Sequence, residues 1–207
     1  MIAGGPARAA RFFRNGLIIA TQGSESRLIS MIKRVRKLLC SPVNTPYHYQ
    51  NVRSTRLSFL IRPAIESDAL AVSELTAGLS EYFASGSVSQ ISQEFWDSIS
   101  VEAVTGRIVS PDYDCFVAGD TDGLSGFVAF RKPSHLFHLF VASRAQSRGL
   151  GKLLWQKVLE RSACPEITVN SSVFAIPFYQ RLGFVRVGPD KSEGGISYSP
   201  MVFTKGS

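Results

Sequence analysis

The segment from His138 to Trp155 joins an apolar run, a short polar turn with two glycines, and a stretch with helical spacing. The apolar run ends near Val141, and leucines at 150, 153 and 154 begin the helical stretch. This order predicts a β-strand that leads directly into the N-terminus of an α-helix. The first turn of a helix has backbone N–H groups without partners and the positive end of the helix dipole. The turn is therefore a candidate anion-binding site.

The spacing of the glycines excludes two common phosphate-binding loops. A dinucleotide-binding fingerprint needs a third glycine where this chain has Leu154, and a Walker loop needs Ser or Thr where it has Leu153. The remaining pattern is Gln146-x-x-Gly149-x-Gly151. Taken alone, this pattern also fits a tight strand-to-helix turn that binds no ligand.

The pattern resembles the acetyl-CoA pyrophosphate loop, Gln/Arg-x-x-Gly-x-Gly/Ala, of the GCN5-related N-acetyltransferases. Two further segments resemble the same family in the same order. Residues 171–184 contain an Ala, then Phe178-Tyr179, then Leu-Gly-Phe, as in a later helix of the family. Residues 61–68 resemble its opening strand and the start of its first helix. The resemblance extends over roughly residues 57–203 and is closest to small, bacterial-type, single-domain members.

The composition favours one folded domain with an appendage. The chain has 207 residues, of which 44% are hydrophobic, enough for one sizeable core. No apolar run reaches the length of about 18 residues needed for a membrane-spanning helix. The three cysteines, at 40, 115 and 164, are scattered, which favours reduced thiols in the cytoplasm, and Cys115 lies in an apolar run typical of a core. No Cys/His cluster has the spacing of metal ligands.

The positive charge is confined to the N-terminal quarter of the chain. Residues 1–56 contain ten Lys and Arg and one acidic residue, whereas residues 57–207 contain thirteen and fifteen. We therefore predict a basic, poorly ordered leader at 1–56 and a folded domain at 57–207. The domain has no general nucleic-acid-binding charge pattern.

Within the leader, residues 27–39 place apolar side chains at helical spacing opposite Lys and Arg, which predicts an amphipathic helix. Three interpretations remain open: an organellar presequence, a membrane-surface or partner helix, and an extension translated from an early start codon. The first would place the protein in an organelle and the last in the cytoplasm. Residues 42–50 are predicted to be a linker.

Strand and helix patterns alternate in the domain. We predict strands at 57–62, 115–118, 125–131, 136–141, 167–170, 184–187 and 198–203, with a hairpin at Asp122-Gly123. The first helix is predicted to begin after a cap at Ser67 or Asp68 and to run to about 82. Further helices are predicted over 90–109 with a restart at Ser100, from 150 to about 162, and over 173–182. These elements predict an α/β fold with a mixed sheet and helices on both faces. The family resemblance implies a GNAT-like acyl-CoA N-acyltransferase fold, mostly antiparallel in its N-terminal half, with splayed fourth and fifth strands.

The resemblance also implies that acetyl-CoA is the acyl donor and that no metal is needed. The pantetheine arm is expected to enter the gap between the splayed strands, where one backbone N–H polarises the thioester carbonyl. Backbone amides of the glycine turn are expected to hold the pyrophosphate, although the Arg148 and Lys152 side chains also fit a solvated helix start. The family often has an Asn where this chain has Ser172, so any role of the nearby Asn170 stays open. The predicted cofactor-binding residues are Phe140, Val141, Gln146, Ser147, Arg148, Gly149, Leu150, Gly151, Lys152 and Asn170.

The implied chemistry is direct attack of a neutral primary amine on the acetyl thioester in a ternary complex. Tyr179 matches the position of a family Tyr that protonates the departing thiolate, and it also fits a buried core Tyr. His138 is a candidate base because its ordinary pKa is near 6.5. His135, Glu81 and ordered water are the alternatives.

The resemblance assigns the acceptor pocket to the first helices and their connection. Glu81, Tyr82 and Phe83 are the predicted acceptor-side residues, with Phe95 and Trp96 as further aromatic candidates, and all four aromatics also fit a core. Monomer and homodimer are both compatible with the sequence. Two other functions stay open: a silent acyl-CoA sensor that does not depend on Tyr179, and a membrane or nucleic-acid adaptor that acts through the leader.

Overall fold

The computed structural model describes residues 17–18 and 59–206. The predicted amphipathic helix at 27–39 and the predicted linker at 42–50 lie outside these residues. Within the leader, the structure has a two-residue strand, Leu17–Ile18, which the sequence patterns did not predict. We call it the leader strand.

Within residues 59–206, eight strands form one mixed sheet. Their order across the sheet is β1-β2-β3-β4-β5-β8-β6, with β7 paired to β8 and the leader strand paired to β5. The first four strands pair in antiparallel fashion, and β4 and β5 pair in parallel. The strands are β1 Leu60–Pro63, β2 Tyr113–Asp120, β3 Gly123–Arg131, β4 His135–Val141, β5 Glu166–Ser172, β6 Val185–Arg186, β7 Lys191–Glu193 and β8 Ile196–Thr204.

Helices cover both faces of this sheet, as predicted. One buried cluster joins the sheet to the face that carries α1, α2 and α3, and a second joins it to the face that carries α4 and α5. The α/β class and the mixed sheet are thus confirmed. The helices are α1 Ala69–Ala77, α2 Gln93–Ser98, α3 Val101–Val109, α4 Leu150–Arg161 and α5 Ile176–Arg181.

Several predicted helix ends differ from the observed ones. The first helix was predicted to reach about Tyr82, but α1 ends at Ala77 and a separate 3-10 turn covers Ser80–Tyr82. The restart at Ser100 is confirmed, because the Ser100 side chain accepts a hydrogen bond from the Ala103 N–H at 3.2 Å. The predicted helix at 173–182 is a 3-10 turn followed by α5. Strand β7 was missed.

The fourth and fifth strands separate, as the family resemblance implied. The pairs between β4 and β5 are His135 with Thr168 and Leu136 with Val169, at the N-terminal ends of both strands. Beyond them β4 continues to Val141 and β5 continues to Ser172 without pairing to each other. A gap therefore opens toward the C-terminal ends, where β4 leads into the glycine turn.

A β-bulge lies on β4 where the gap begins. Ala129 of β3 pairs with His138, while the next residue of β3, Phe130, pairs with Leu136, so Phe137 is the extra residue on β4. The bulge turns two consecutive rings toward one face, and the ring centroids of Phe137 and His138 lie 4.6 Å apart. His138 is thereby held against the face that carries α1, α2 and α3.

Candidate active site

The glycine turn places several backbone N–H groups ahead of the helical ladder of α4. Ser147 and Gly149 both have positive φ, of 58° and 82°. The first hydrogen bond of α4 runs from the Leu153 N–H to the Gly149 carbonyl at 3.1 Å, so the N–H groups of the three preceding residues lie before the helical ladder. Alternation of left-handed and right-handed residues forms an anion-binding nest. The turn thus has the geometry of a phosphate site.

The two glycines of the turn serve different purposes. A Cβ on Gly149 would meet nothing within 4 Å, so this side of the loop is open to a ligand. A Cβ on Gly151 would lie 2.9 Å from the Phe178 Cζ. Gly151 is therefore needed for close packing of α4 against α5, and the sequence did not reveal this reason.

An ion pair that sequence patterns did not predict fixes the turn before the glycines. Arg144 Nη1 lies 3.0 Å from an Asp120 carboxylate oxygen and donates to Ser125 Oγ at 2.9 Å. Its other terminal nitrogen donates to the Leu124 carbonyl at 3.0 Å. The pKa of Asp120 is lowered, since hydrogen bonds from Ser125 and the Asp122 N–H, together with the Arg144 charge, outweigh desolvation. The β2–β3 hairpin thus holds the start of the loop.

Two side chains of the loop contact other parts of the protein, and a third is exposed. Gln146 Nε2 donates to the Val141 carbonyl at 3.0 Å, while its Oε1 is buried without a partner in the described structure. Arg148 donates to the Arg144 carbonyl and lies over the Phe59 ring, at 5.6 Å from its centroid. Lys152 is exposed on the first turn of α4. Lys152, unlike Arg148, has no hydrogen bond or ring contact with the residues that the structure describes.

The edge of β4 that faces the gap can be read from its hydrogen bonds. The Ala142 N–H donates to the Ser125 carbonyl at 2.9 Å, toward β3. Because successive N–H groups alternate between the two edges of a strand, the Phe140 amide also faces β3, and the Leu139 and Val141 amides face the gap. The Val141 amide therefore points in the direction that its predicted contact with the cofactor requires. The Phe140 amide, which was also predicted to contact the cofactor, faces β3, whereas the Leu139 amide faces the gap.

The edge of β5 that faces the gap follows in the same way. The Thr168 N–H donates to the Ser134 carbonyl at 2.8 Å, on the β4 side. By alternation the Asn170 amide also faces β4 and the gap. Ser172 is fully buried and accepts a hydrogen bond from the Ala175 N–H at 3.3 Å, so its side chain caps the following 3-10 turn.

Tyr179 lies on the face of the sheet that carries α4 and α5. Its side chain is fully buried among aromatic residues that include Phe178 and Phe184. Its hydroxyl has no hydrogen-bond partner among the described residues. Desolvation raises the pKa of Tyr179 well above its usual value of 10, so the phenol keeps its proton.

His138 lies on the opposite face, between the rings of Phe137 and Phe140. Its Nδ1 is buried and has no partner in the described part of the chain. Its pKa is lowered well below 6.5, first by desolvation and then by the charges of Arg107 and His135. Arg107 itself is largely buried and donates to the Ser98 carbonyl. His138 is therefore neutral at pH 7, as a base must be, although its lowered pKa makes it a weak one.

The predicted acceptor-side residues are not equivalent. Phe83 is buried and packs against Phe95 with ring centroids 4.9 Å apart, so it belongs to the core of this structure, and its contact with the acceptor stays a prediction. Glu81 is exposed on the 3-10 turn. Tyr82 lies 5.3 Å from the ring of Phe174, which follows β5. Tyr82 and Phe174 thus connect the helical region to the end of β5.

Among the described residues, neither a reactive thiol at Cys115 nor a metal site is present. Cys115 is buried, and desolvation raises its pKa to about 12, which fits the predicted core role and not that of a nucleophile. Residues 17–18 and 59–206 contain no group of three or more His, Cys, Asp or Glu that could hold a metal ion. Across the same residues, the structure has no helix that is long and apolar enough to cross a membrane.

The site fits an extended ligand with an anionic end. A loop whose first-turn N–H groups lie outside the helical ladder of α4 stands at the mouth of a gap that has backbone amides on both edges. Gln146 Oε1 and the Tyr179 hydroxyl are both buried without a partner in the described part of the chain, and buried polar groups normally have one. A ligand that supplies an acceptor or donor there would satisfy them.

Comparison with known proteins gives one consistent family. The family model described as "Acetyltransferase (GNAT) domain" matches residues 75–205. None of the curated proteins matches the chain.

Solved structures with the same fold have low sequence identity. The PaiA N-acetyltransferase of Thermoplasma acidophilum, solved in complex with coenzyme A, is 17% identical, with a TM-score of 0.56 over 72% of this chain and 99% of that one. A GCN5-related N-acetyltransferase from Rhodopseudomonas palustris is 18% identical, with a TM-score of 0.53 over 70% and 94%. One from Kribbella flavida is 18% identical, with a TM-score of 0.51 over 70% and 97%. At these identities the likeness concerns the fold.

Proposed function

Because the chain belongs to the GNAT acetyltransferase family, we propose that it transfers an acetyl group from acetyl-CoA to a primary amine by direct attack within a ternary complex. The observation that carries the proposal is the separation of β4 and β5 after Leu136, which opens a gap in line with the N-terminal loop of α4. Support also comes from the coenzyme A complex of the PaiA relative.

The loop would bind the pyrophosphate. The N–H groups of Ser147 to Lys152 include those that precede the helical ladder, and the positive end of the α4 dipole adds to their field. Gly149 leaves the approach open. Lys152 would add a positive charge at the exposed rim, whereas Arg148 serves mainly to brace the loop against Arg144 and Phe59.

The gap would bind the pantetheine arm as it would an added strand. The Leu139 and Val141 amides on one edge and the Asn170 amide on the other are the donors within reach of such an arm. A donor directed at the thioester carbonyl is worth about 2.7–4 kcal/mol in other acyl-transfer sites. Acetyl-CoA supplies an acetyl group activated by its thioester.

The two proton transfers would be carried out by side chains on opposite faces of the sheet. As the new N–C bond forms and the C–S bond breaks, the amine must lose a proton and the departing sulfur must gain one. Tyr179 would donate its phenolic proton to the sulfur and recover one from solvent. His138, neutral and on the opposite face, would accept the amine proton directly or through water.

The experiment is an amine panel assayed with the full-length protein. Wild type is incubated with acetyl-CoA and each amine, and both free CoA thiol and acetylated product mass are measured. At least one amine should give stoichiometric thiol and product, and Tyr179→Phe should lower that rate. Acetyl-CoA binding without transfer to any amine, with wild type and Tyr179→Phe alike, would instead favour the sensor.

We also propose a cytoplasmic location, supported by the scattered cysteines of the sequence. Determination of the N-terminal residue of the natively expressed protein tests this. A native N-terminus near residue 57 in an organelle fraction would contradict it and favour the presequence.

A further inference from the structure

The leader strand extends the parallel pairing of β5 at the point where β4 leaves it. Along β5, Thr168 and Val169 pair with β4. The next two residues, Asn170 and Ser171, pair in parallel with Leu17 and Ile18. One side of β5 therefore exchanges one partner strand for another without an interruption.

The leader strand lies inside the gap. It neighbours β4 as well as β5, so it runs between the two separated strands. Neighbouring strands lie about 4.8 Å apart, so a gap filled by one strand has room for one extended chain and not for two. The leader strand thus takes the place that the proposed function gives to the pantetheine arm.

We infer that the gap between β4 and β5 is a strand-binding site, and that its occupant in the free protein is the chain's own segment at Leu17–Ile18. It follows that this segment competes with acetyl-CoA, a consequence that rests on the proposed function. Recognition is through backbone hydrogen bonds, as in other cases of strand addition to an open sheet edge.

The strength of the competition follows from the length of the strand. Two paired residues form few hydrogen bonds, so the segment must leave readily when cofactor is present. Forty-one residues separate Ile18 from Leu60, and pairing within one chain avoids the cost of bringing two molecules together. We expect the leader strand to weaken cofactor binding on the order of tenfold and not to abolish it.

The test uses the full-length chain with two prolines. In Leu17→Pro/Ile18→Pro the segment loses backbone donors that a strand needs. Ser24→Pro, in the leader but outside the strand, is the matched control. Two quantities are measured for each protein: hydrogen exchange of the Asn170 amide without ligand, and the calorimetric Kd for coenzyme A.

Exchange at Asn170 decides whether the segment docks. This amide faces the gap, so it should be protected in wild type and Ser24→Pro and exchange faster in the double variant. Equal exchange in all three proteins would overturn the inference, whether or not coenzyme A binds.

Affinity decides whether docking competes with cofactor. The double variant should bind coenzyme A on the order of tenfold more tightly than wild type and Ser24→Pro. Equal affinity in all three would overturn the competition. If the exchange result holds and none of the three binds coenzyme A, the proposed function fails while the strand-binding site stands.

Discussion

His138 and Tyr179 lie on opposite faces of the same sheet, and each buries a polar atom that has no partner in the described structure. The bulge at Phe137 turns His138 toward α1, α2 and α3, and α5 holds Tyr179 on the other face. The gap between β4 and β5 passes through the sheet, so under the proposed function these two groups would act on the two sides of one bound thioester. This arrangement separates the candidate base from the candidate acid.

Tyr179→Phe should lower activity without lowering stability. Loss of a positioned general acid reduces a rate by about 10²–10⁴-fold. The hydroxyl is buried without a partner, so its removal should leave the free energy of unfolding unchanged or raise it by about 1–3 kcal/mol. Acetyl transfer and urea unfolding are the measurements. Tyr113→Phe, at the start of β2, is the control and should keep the activity. A large loss of stability in Tyr179→Phe would show that its hydroxyl has a partner.

Acidification should destabilise wild type more than His138→Phe. The folded-state pKa of His138 lies below its unfolded value near 6.5, so the unfolded chain binds a proton that the folded one does not. The stabilisation is therefore complete above pH 6.5 and is lost as the pH falls below it, by at most about 1.4 kcal/mol per pH unit. Phe preserves the ring packing with Phe137 and Phe140. The free energy of unfolding is measured from pH 8 to 5, and parallel curves for the two proteins would contradict the lowered pKa.

Gly151→Ala should destabilise through Phe178. The added methyl would lie 2.9 Å from the Phe178 ring, and overpacking of this kind costs about 1–3 kcal/mol. Phe178→Leu should recover part of this loss, which a double-mutant cycle detects. Gly149→Ala is the comparison: its cost, about 1–2 kcal/mol, comes from the positive φ alone, and Phe178→Leu should not reduce it. Equal coupling in both cycles would reject the packing role of Gly151.

Arg144→Gln should weaken acetyl-CoA binding although Arg144 need not touch the cofactor. Its guanidinium joins the loop to Asp120, Ser125 and Leu124. Without these bonds the start of the glycine turn is no longer held in place. We expect about a tenfold higher Kd, or ~1.4 kcal/mol, with a loss of stability below about 1 kcal/mol because the pair is partly exposed. Arg161→Gln removes a comparable pair with Asp114 on another part of the surface and should leave the Kd unchanged. Equal effects of the two variants would remove Arg144 from the site.

The sequence predicted the features that depend on local patterns. The glycine turn, the restart at Ser100 and the strand that leads into α4 follow from spacing and capping chemistry, which act over a few residues. The family resemblance supplied the splayed strands. The predictions from local patterns and the prediction from the family resemblance therefore both concern where the backbone runs.

Features set by distant contacts were missed or misjudged. Asp120 lies 24 positions before Arg144, so their pairing depends on the β2–β3 hairpin. Phe140 was predicted to face the gap, but the bulge and strand register decide which amides do. Phe83 was predicted on the acceptor side, whereas in the structure its ring packs against Phe95 in the core. The leader strand pairs with a strand about 150 residues away in sequence, and two residues carry no detectable strand pattern.

The most direct test of the pyrophosphate site compares Gly149→Asp with Gly149→Asn by calorimetric titration with acetyl-CoA. Both side chains tolerate a positive φ, and they differ mainly in charge. If the loop holds the pyrophosphate, Gly149→Asn should bind within a few-fold of wild type, and Gly149→Asp at least about tenfold more weakly, because its carboxylate repels the ligand and competes for the N–H groups. Equal affinities for the two variants, or no binding by wild type, would contradict the account.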